Sequence, residues 1–327
     1  MDKEKTDRNF EELQQPLWRV RLRLFRKSFR ENWRIFRGSV LGPIGLAIVI
    51  FFAVFAIFYP FYIDIMGSVS GRPSMYDPVT GFAFDIAGTH PHSPTLHHPL
   101  GTDPLGRDIL TQLMYSASNE FILGLVAAVG GIFIATTLGA ISAYYGGLVD
   151  TVLMRVADIF MVFPFVATIA ALSQVVYEMT LFRLALIIAV LSGFGGNVIM
   201  LKSGALQVKV KPYIEAAKVS GGSNLYIIFA HIIPNILPLS FLYMMFAVTG
   251  AIFTEATLAF LGLLDVRMSW GIMIQTANDA GYLVGSRLGT FWYLWIPAGL
   301  AITFLCAGFY FIGRGLNEVV NPKLRER

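Results

Sequence analysis

The chain has 327 residues, of which 55% are apolar and 14% are charged, and its net charge is +4. This composition excludes a water-soluble globule, because so few polar side chains could not cover its surface. A single cysteine excludes an intrachain disulfide and a cysteine-based metal site. Several apolar runs of about twenty residues match the roughly 30 Å hydrocarbon layer at 1.5 Å per helical residue. The sequence therefore predicts an all-α polytopic membrane protein.

Residues 1–38 contain a basic amphipathic helix that precedes the first apolar run. Its large apolar residues recur every three or four positions on one helical face: Trp18, Leu22, Phe25, Phe29, Trp33 and Phe36. Such a helix is expected to lie in the lipid headgroup layer, with its cations on anionic lipid. A nucleic-acid-binding arm is the less favoured alternative, because membrane spans follow at once.

Six transmembrane helices are predicted in chain order. The first spans residues 39–62, and residues 63–120 form an extracytoplasmic loop and helix, in which Asp103 before Pro104 predicts the helix start. Residues 121–313 form a five-helix core, and residues 314–327 form a tail. The core spans are predicted at 121–145, 151–173, 181–201, 238–264 and 291–313. Glycines of the second span, such as Gly131 and Gly139, are expected at close helix contacts.

The distribution of positive charge predicts the orientation. If the N-terminus is inside, 20 of the 25 Lys and Arg residues lie on the inner side. The positive-inside rule then places both termini in the cytoplasm, in a cell or inner membrane.

The longest loop on the predicted cytoplasmic side spans residues 202–238. Pro212 suits the first turn of a short helix, and Gly221 suits the left-handed residue that ends it. Ser223 can cap a second helix that stops before Pro234. Spacing alone favours an ordinary interfacial hairpin over a surface that docks another protein.

Sequence motifs favour the docking surface. EAAKVSG at residues 215–221, followed by IIPN at 232–235, resembles the EAA signature of ABC-importer permeases, whose coupling helix docks on the ATPase. Four further stretches resemble the C-type permease of oligopeptide and dipeptide importers: HPLGTDPLGRDIL from His98, AYYGGLVDTVLMRVADIFMVFP from Ala143, TEATLAFLG from Thr254 and SWG from Ser269. The chain departs from the family pattern at residues 197–202, at Ala230 and at Ile233, where the ATPase contact would differ.

The resemblance implies a type I ABC importer permease (MetI-like) fold. It implies as partners a B-type permease, two ABC ATPase subunits, an extracytoplasmic substrate-binding protein and membrane lipid, without nucleic acid. The implied ATPase-coupling residues are Glu215, Ala216, Ala217, Gly221, Gly222, Ile232 and Pro234. The implied extracytoplasmic motif comprises His98, Gly101, Asp103, Gly106, Arg107 and Asp108, of which Arg107 and Asp108 are expected either at a helix surface or as charges that dock the loop.

The chain itself is not expected to be an enzyme. It has no GxxxxGK[ST] phosphate loop, so ATP and Mg would bind to partner subunits, and this chain would hold no cofactor. Peptides are the expected substrate, and oligosaccharides, nickel or glutathione are the alternatives. An ion-coupled secondary transporter is a rival class, but Glu255 is the only carboxylate expected well inside a span. A membrane scaffold is a second rival.

Three other groups of charged residues are candidates. Arg155 and Asp158 are three positions apart and can pair, which favours a structural ion pair over a role in transport. Glu255 is expected to line the pathway or to join helices, with no preference between the two. The histidine cluster at residues 90–98 lacks a recognisable ligand spacing, so no metal site is expected.

Overall fold

The computed structural model describes residues 17–176, 179–264 and 266–320. Regular structure in these residues is helical, apart from an isolated bridge between Thr102 and Asp108. The α-helices are α1 Leu17–Gly38, α2 Leu41–Ser70, α3 Ile109–Tyr145, α4 Gly147–Val162, α5 Phe165–Val175, α6 Leu181–Phe194, α7 Gly196–Lys209, α8 Pro212–Val219, α9 Asn224–Ile227, α10 Ile233–Phe260, α11 Trp270–Asp279, α12 Arg287–Thr290 and α13 Ile296–Val320.

Four helical segments of the described chain are each long and apolar enough to cross a membrane. They are α2, α3, the continuous segment Asn224–Phe260 and α13. Two further candidates are bent pairs, α4 with α5 at 84° and α6 with α7 at 49°. Six spans result if each pair counts as one, which is the predicted number. The third span, predicted over residues 151–173, consists of two helices, because Pro164 disfavours helical geometry at Phe163 and the chain turns there.

Helix boundaries differ from the predicted ones around the extracytoplasmic segment. The first span continues to Ser70 instead of ending at Tyr62, and the next long helix begins at Ile109. Asp103 does not start this helix, because its carboxylate accepts from the backbone N–H groups of Leu105 and Arg107 and closes a local turn. Helix α13 likewise continues past the predicted end at Gly313 to Val320.

Helix α3 lies at the centre of the bundle, against α2, α6, α7 and α10. Its glycines allow backbones to approach, as predicted. A Cβ atom at Gly131 would lie 2.6 Å from the Ser192 hydroxyl, and one at Gly139 would lie 2.8 Å from the Lys202 backbone nitrogen. Larger residues at these positions would force α3 away from α6 and α7.

One end of the bundle gathers the N-terminal helix, the loop between α7 and α9, and the end of α13. A cavity of about 830 Å³ there is lined by residues of all three, including Asn32, Tyr213 and Val320. We call this the coupling-loop end. The opposite end carries residues 71–108 and α11, and we call it the long-loop end. Asn32 of α1 and Val320 at the end of α13 line this same cavity, which agrees with an even number of spans between them.

Helix α1 bears an aromatic stripe that points partly away from the bundle. The rings of Phe29 and Trp33 stack at 6.5 Å, and those of Trp33 and Phe36 at 5.7 Å. Phe36 is buried, whereas Phe29 is 60% and Trp33 is 40% exposed. Three of the six residues predicted to share one helical face, Phe29, Trp33 and Phe36, therefore do so. The structure does not describe the side chains of the other three, Trp18, Leu22 and Phe25.

Candidate functional site

The loop at the coupling-loop end contains the short helix α8, whose two ends are set by local chemistry. Pro212 occupies the first turn, where its missing N–H costs no hydrogen bond. Gly221 has φ +82° and ends the helix. Its N–H donates to the Lys218 carbonyl and the N–H of Gly222 to the Ala217 carbonyl, both at 3.0 Å, which is a Schellman motif. The predicted start and end of this helix are confirmed.

One face of α8 rests on the end of α3. Ile214 is fully buried in an apolar cluster with Tyr144 of α3 and Ile232. The Lys218 ammonium lies 5.3 Å from the centroid of the Tyr144 ring, and the Tyr144 hydroxyl donates to the Asn224 side chain at 2.8 Å. A displacement of α8 would therefore be transmitted to α3.

The opposite face of α8 is exposed. Val219 is 90% exposed, and Glu215, Ala216 and Gly221 are exposed beside it; Lys218 is exposed at the edge of this face, from which its ammonium reaches the Tyr144 ring. Apolar side chains continue this surface on either side of the bend: Tyr213, Leu225 and Tyr226. A patch that combines exposed apolar residues with small residues and two opposite charges is typical of a protein contact surface.

Ile232 does not belong to the same surface, whereas Pro234 is exposed. Ile232 is fully buried in the cluster that holds α8, so it supports the loop and is not part of its exposed face. The predicted stop before Pro234 is wrong, because the helix continues from Asn224 to Phe260. Residues Ile228–Ile232 adopt π-helical geometry just before Pro234, where the proline cannot donate a backbone hydrogen bond.

The predicted loop bounds 202–238 are also too wide, because Lys202 belongs to helix α7. Its ammonium forms an ion pair with Asp150 at the start of α4, and Asp150 also accepts from the Ser142 hydroxyl of α3 at 2.5 Å. Three helices thus meet at one carboxylate near α8. Asp150 stands within a stretch that resembles the family, but only its contact with Lys202 reveals this role.

Arg155 and Asp158 form the predicted ion pair, with 3.1 Å between Nη1 and Oδ2. Their side chains are 78% and 51% exposed. Exposed pairs of this kind contribute little to stability. The pair is separate from the network around Asp150.

At the long-loop end, His98 is fully buried between two carboxylates. Its Nδ1 lies 2.9 Å from Asp108 Oδ1 and its Nε2 lies 3.1 Å from Asp85 Oδ1. Asp108 also caps α3, since its Oδ2 accepts from the Thr111 backbone N–H at 2.7 Å. Because both ring nitrogens face carboxylates, the geometry suits a doubly protonated imidazolium. Asp85 was not foreseen as part of this motif.

Arg107 and Asp108 are buried and paired, which overturns the helix-surface alternative and agrees with charges that dock the loop. Arg107 is 8% exposed, and its Nη2 lies 2.6 Å from Asp103 Oδ2. The Gln112 amide donates to the same oxygen at 2.8 Å. Gly101 and Gly106 have positive φ values, +83° and +80°, that allow the turns of this segment. The motif residues therefore form a folded polar core over the end of α3.

Two other histidines of the long loop, His90 and His97, also make polar contacts within this segment. His90 Nδ1 lies 2.9 Å from the Thr102 hydroxyl, and His97 Nδ1 lies 3.0 Å from Asp85 Oδ2. Within the described residues, no group of three or more His, Cys, Asp or Glu side chains is arranged to hold a metal ion.

Glu255 lies in α10 and is fully buried, and a second carboxylate lies beside it. This is Glu120 of α3, which is 1% exposed. The expectation of a single carboxylate well inside a span is therefore wrong. Glu120 was missed because the second span was predicted to start at Phe121, after this residue, whereas α3 begins at Ile109.

Comparison with known proteins identifies the family of the chain. The family model described as "Binding-protein-dependent transport system inner membrane component" matches residues 131–326, from within α3 to the C-terminal tail. The oligopeptide transport system permease protein OppC of Bacillus subtilis is 32% identical over 89% of this chain and 88% of its own length. The dipeptide transport system permease protein DppC of Haemophilus influenzae is 29% identical over 91% of this chain and 95% of its own length.

The matched region includes α8, the Gly221 bend and the helices that hold them. The family model covers more than half of the chain, and the similarity to these relatives extends through α2 and the long loop. The chain therefore belongs to the family of binding-protein-dependent transport system inner membrane components.

Proposed function

We propose that this chain is the C-type permease subunit of an ATP-driven importer of oligopeptides or dipeptides. The exposed face of α8, held on α3 by Ile214, carries the proposal because it offers an ATPase a surface connected to the centre of the bundle. The relatives named as oligopeptide and dipeptide permeases support the choice of substrate.

The proposed complex contains a B-type permease, two ABC ATPase subunits and an extracytoplasmic substrate-binding protein. ATP and Mg bind to the ATPase subunits, whose closure moves α8 and, through Tyr144, the end of α3. Because α3 packs against α6, α7 and α10, this movement rocks the permease between outward-open and inward-open states. Glu215, Ala216, Ala217, Lys218, Gly221 and Gly222 are the proposed contacts with the ATPase.

Gly221→Asp tests the coupling role. A Cβ at Gly221 would meet no atom within 4 Å, but its φ of +82° strains any other residue, and the new carboxylate would stand on the docking face. We expect normal membrane insertion, loss of copurifying ATPase subunits and loss of peptide uptake. Copurification and uptake are measured in membranes that contain the complete transporter.

Gly250→Ala is the matched control, because Gly250 lies in α10 with ordinary φ and a Cβ at this position would also meet no atom within 4 Å. It should leave copurification and uptake unchanged. Normal uptake by Gly221→Asp would contradict the coupling role.

A separate measurement tests the substrate. The purified complex with its binding protein is given peptides, oligosaccharides, nickel or glutathione in turn, and ATP hydrolysis is measured. We expect stimulation by peptides. Stimulation by one of the other ligands alone would contradict a peptide importer and leave the coupling role intact.

A further inference from the structure

Two buried glutamates from different helices meet inside the bundle without a cation. Glu120 of α3 and Glu255 of α10 lie beside each other, with the Ser269 hydroxyl next to Glu255. Beyond this contact with each other and with Ser269, their four carboxyl oxygens meet no hydrogen-bond donor among the described residues. Buried carboxylates normally have a cation or several donors, because their desolvation is costly.

The groups that face this pair do not supply positive charge. Cys306 of α13 lies close enough to Glu120 to interact with its charge, and its thiol is directed to the Thr249 carbonyl at 3.8 Å. The ion pairs of His97, His98, Arg107, Arg155 and Lys202 are made with aspartates, and none of them involves Glu120 or Glu255. Since two ionised carboxylates side by side repel each other, the pair is neutralised most simply by a proton.

Further unpartnered polar groups lie on the same face of α3. Gln112, Ser116 and Glu120 are spaced four residues apart, so their side chains follow one another along the helix. Both Gln112 and Ser116 are fully buried, and Gln112 Oε1 and the Ser116 hydroxyl lack hydrogen-bond partners in the described residues. Each step rises about 6 Å, which one water molecule can bridge with two hydrogen bonds.

This column of polar groups begins at the long-loop end. The Gln112 amide donates to Asp103 Oδ2, which belongs to the polar core over the start of α3. A water chain beside Gln112 and Ser116 would thus connect the predicted extracytoplasmic side with Glu120. Buried polar groups without protein partners are typical sites of bound water.

We propose that Glu120 and Glu255 form a proton-binding site that shares one proton and exchanges it with the long-loop end through water held by Gln112 and Ser116. Loading converts one carboxylate to a carboxylic acid, with the proton taken from bulk water along the relay and released by the same route. The site joins α3 to α10 next to Ser269, the residue that caps α11. The proposal goes beyond peptide import and does not depend on the substrate.

Infrared difference spectroscopy on the full-length chain in lipid nanodiscs tests the site directly. We expect the wild-type protein to show the C=O stretch of a protonated carboxyl group that shifts on transfer to D₂O. The double variant Glu120→Gln with Glu255→Gln should lose this band. If the double variant does not fold, either single variant should change the frequency of the band.

Glu31→Gln is the matched control, because Glu31 is an exposed glutamate of α1 and its replacement should leave the band unchanged. Ser116→Ala should retain the band and slow its shift in D₂O several-fold, since the relay loses a hydroxyl. Absence of the protonated band in the wild type, or a carboxylate band that responds to Na⁺ or Ca²⁺, would overturn the proton site. An unchanged exchange rate in Ser116→Ala would overturn the relay.

Discussion

At the scale of single residues, the protonation of His98 links the long loop to the start of α3. Burial lowers the pKa of His98, but the hydrogen bonds and charges of Asp108 and Asp85 outweigh burial, so the pKa is raised above 6.5. Burial also opposes ionisation of Asp85, but hydrogen bonds from His97 and His98 lower its pKa below 3.8. The contact is therefore strongest when the imidazolium and the carboxylate are both charged.

The direction of each pKa shift gives the pH range in which that residue stabilises the long loop. The contribution of His98 to stability is complete below pH 6.5 and is lost as the pH rises through its raised pKa. The contribution of Asp85 is complete above pH 3.8 and is lost as the pH falls through its lowered pKa. The long loop should thus be most stable in mildly acidic solution.

The variant His98→Gln tests this pH dependence. It leaves buried carboxylates with a weaker partner, so we expect it to lower the free energy of unfolding by about 1–3 kcal/mol near pH 6. The difference from the wild type should shrink as the pH rises, and thermal unfolding across pH measures it. His92→Gln is the control, because the His92 ring is hydrogen-bonded to the carbonyl of the neighbouring Ser93, with 2.9 Å between Nδ1 and the oxygen. A difference that stays constant with pH would contradict the charged state of His98.

At the scale of elements, Asp150 connects α3, α4 and α7 close to the coupling helix. Its pair with Lys202 is partly buried, with 30% and 18% of the two side chains exposed. We expect Asp150→Asn to lower the free energy of unfolding by about 1–3 kcal/mol, between the values for exposed and buried pairs. A double-mutant cycle with Lys202→Met, followed by thermal unfolding, measures the interaction between the two residues.

Asp158→Asn provides the comparison within the same helix. Asp158 pairs with Arg155 on an exposed face, so its replacement should change the free energy of unfolding by less than about 0.5 kcal/mol. Equal effects of the two replacements, or an interaction of zero between Asp150 and Lys202, would show that the three-helix junction has no special role.

Elements with local signals were predictable from the sequence. The ends of α8 follow from Pro212 and Gly221, and the start of α9 follows from Ser223, because a proline, a left-handed glycine and a capping hydroxyl act on neighbouring backbone groups. The start of α3 was misplaced because Asp103 and Asp108 can both cap a helix, and only the fold gives Asp103 the partners Arg107 and Gln112.

Features that depend on distant partners were not predictable. The predicted span ended at Leu201, before the charged Lys202, whose ion-pair partner Asp150 lies 52 residues earlier in the chain. Glu120 and Glu255 are 135 positions apart in the sequence, and they form a pair only because α3 and α10 pack side by side. The roles of the coupling residues came from the family resemblance, and they stay predictions until Gly221→Asp is measured.

At the scale of the whole molecule, the orientation in the membrane can be tested with single cysteines. Cys306 is first replaced by Ser, which keeps a donor toward the Thr249 carbonyl. Cysteine is then introduced at Leu96, which is 96% exposed in the long loop, or at Val219, which is 90% exposed on α8. We expect a membrane-impermeant maleimide to label Leu96→Cys in intact cells and Val219→Cys only after permeabilisation.

The Cys306→Ser chain without a new cysteine serves as the background. Labelling of Val219→Cys in intact cells, with protection of Leu96→Cys, would reverse the predicted orientation and remove α8 from the reach of a cytoplasmic ATPase. The measurement is independent of transport, so it applies even to variants that are inactive.

The contact between α2 and α13 has a consequence for biosynthesis. A Cβ at Gly45 would lie 2.5 Å from the Gly308 carbonyl oxygen, so the two backbones touch. Gly308 is synthesised more than 250 residues after Gly45. Helix α2 must therefore leave the ribosome and enter the bilayer long before its neighbour exists. Until translation reaches α13, this face of α2 is open to lipid or to a chaperone, and a chain truncated before Ile296 would keep it open.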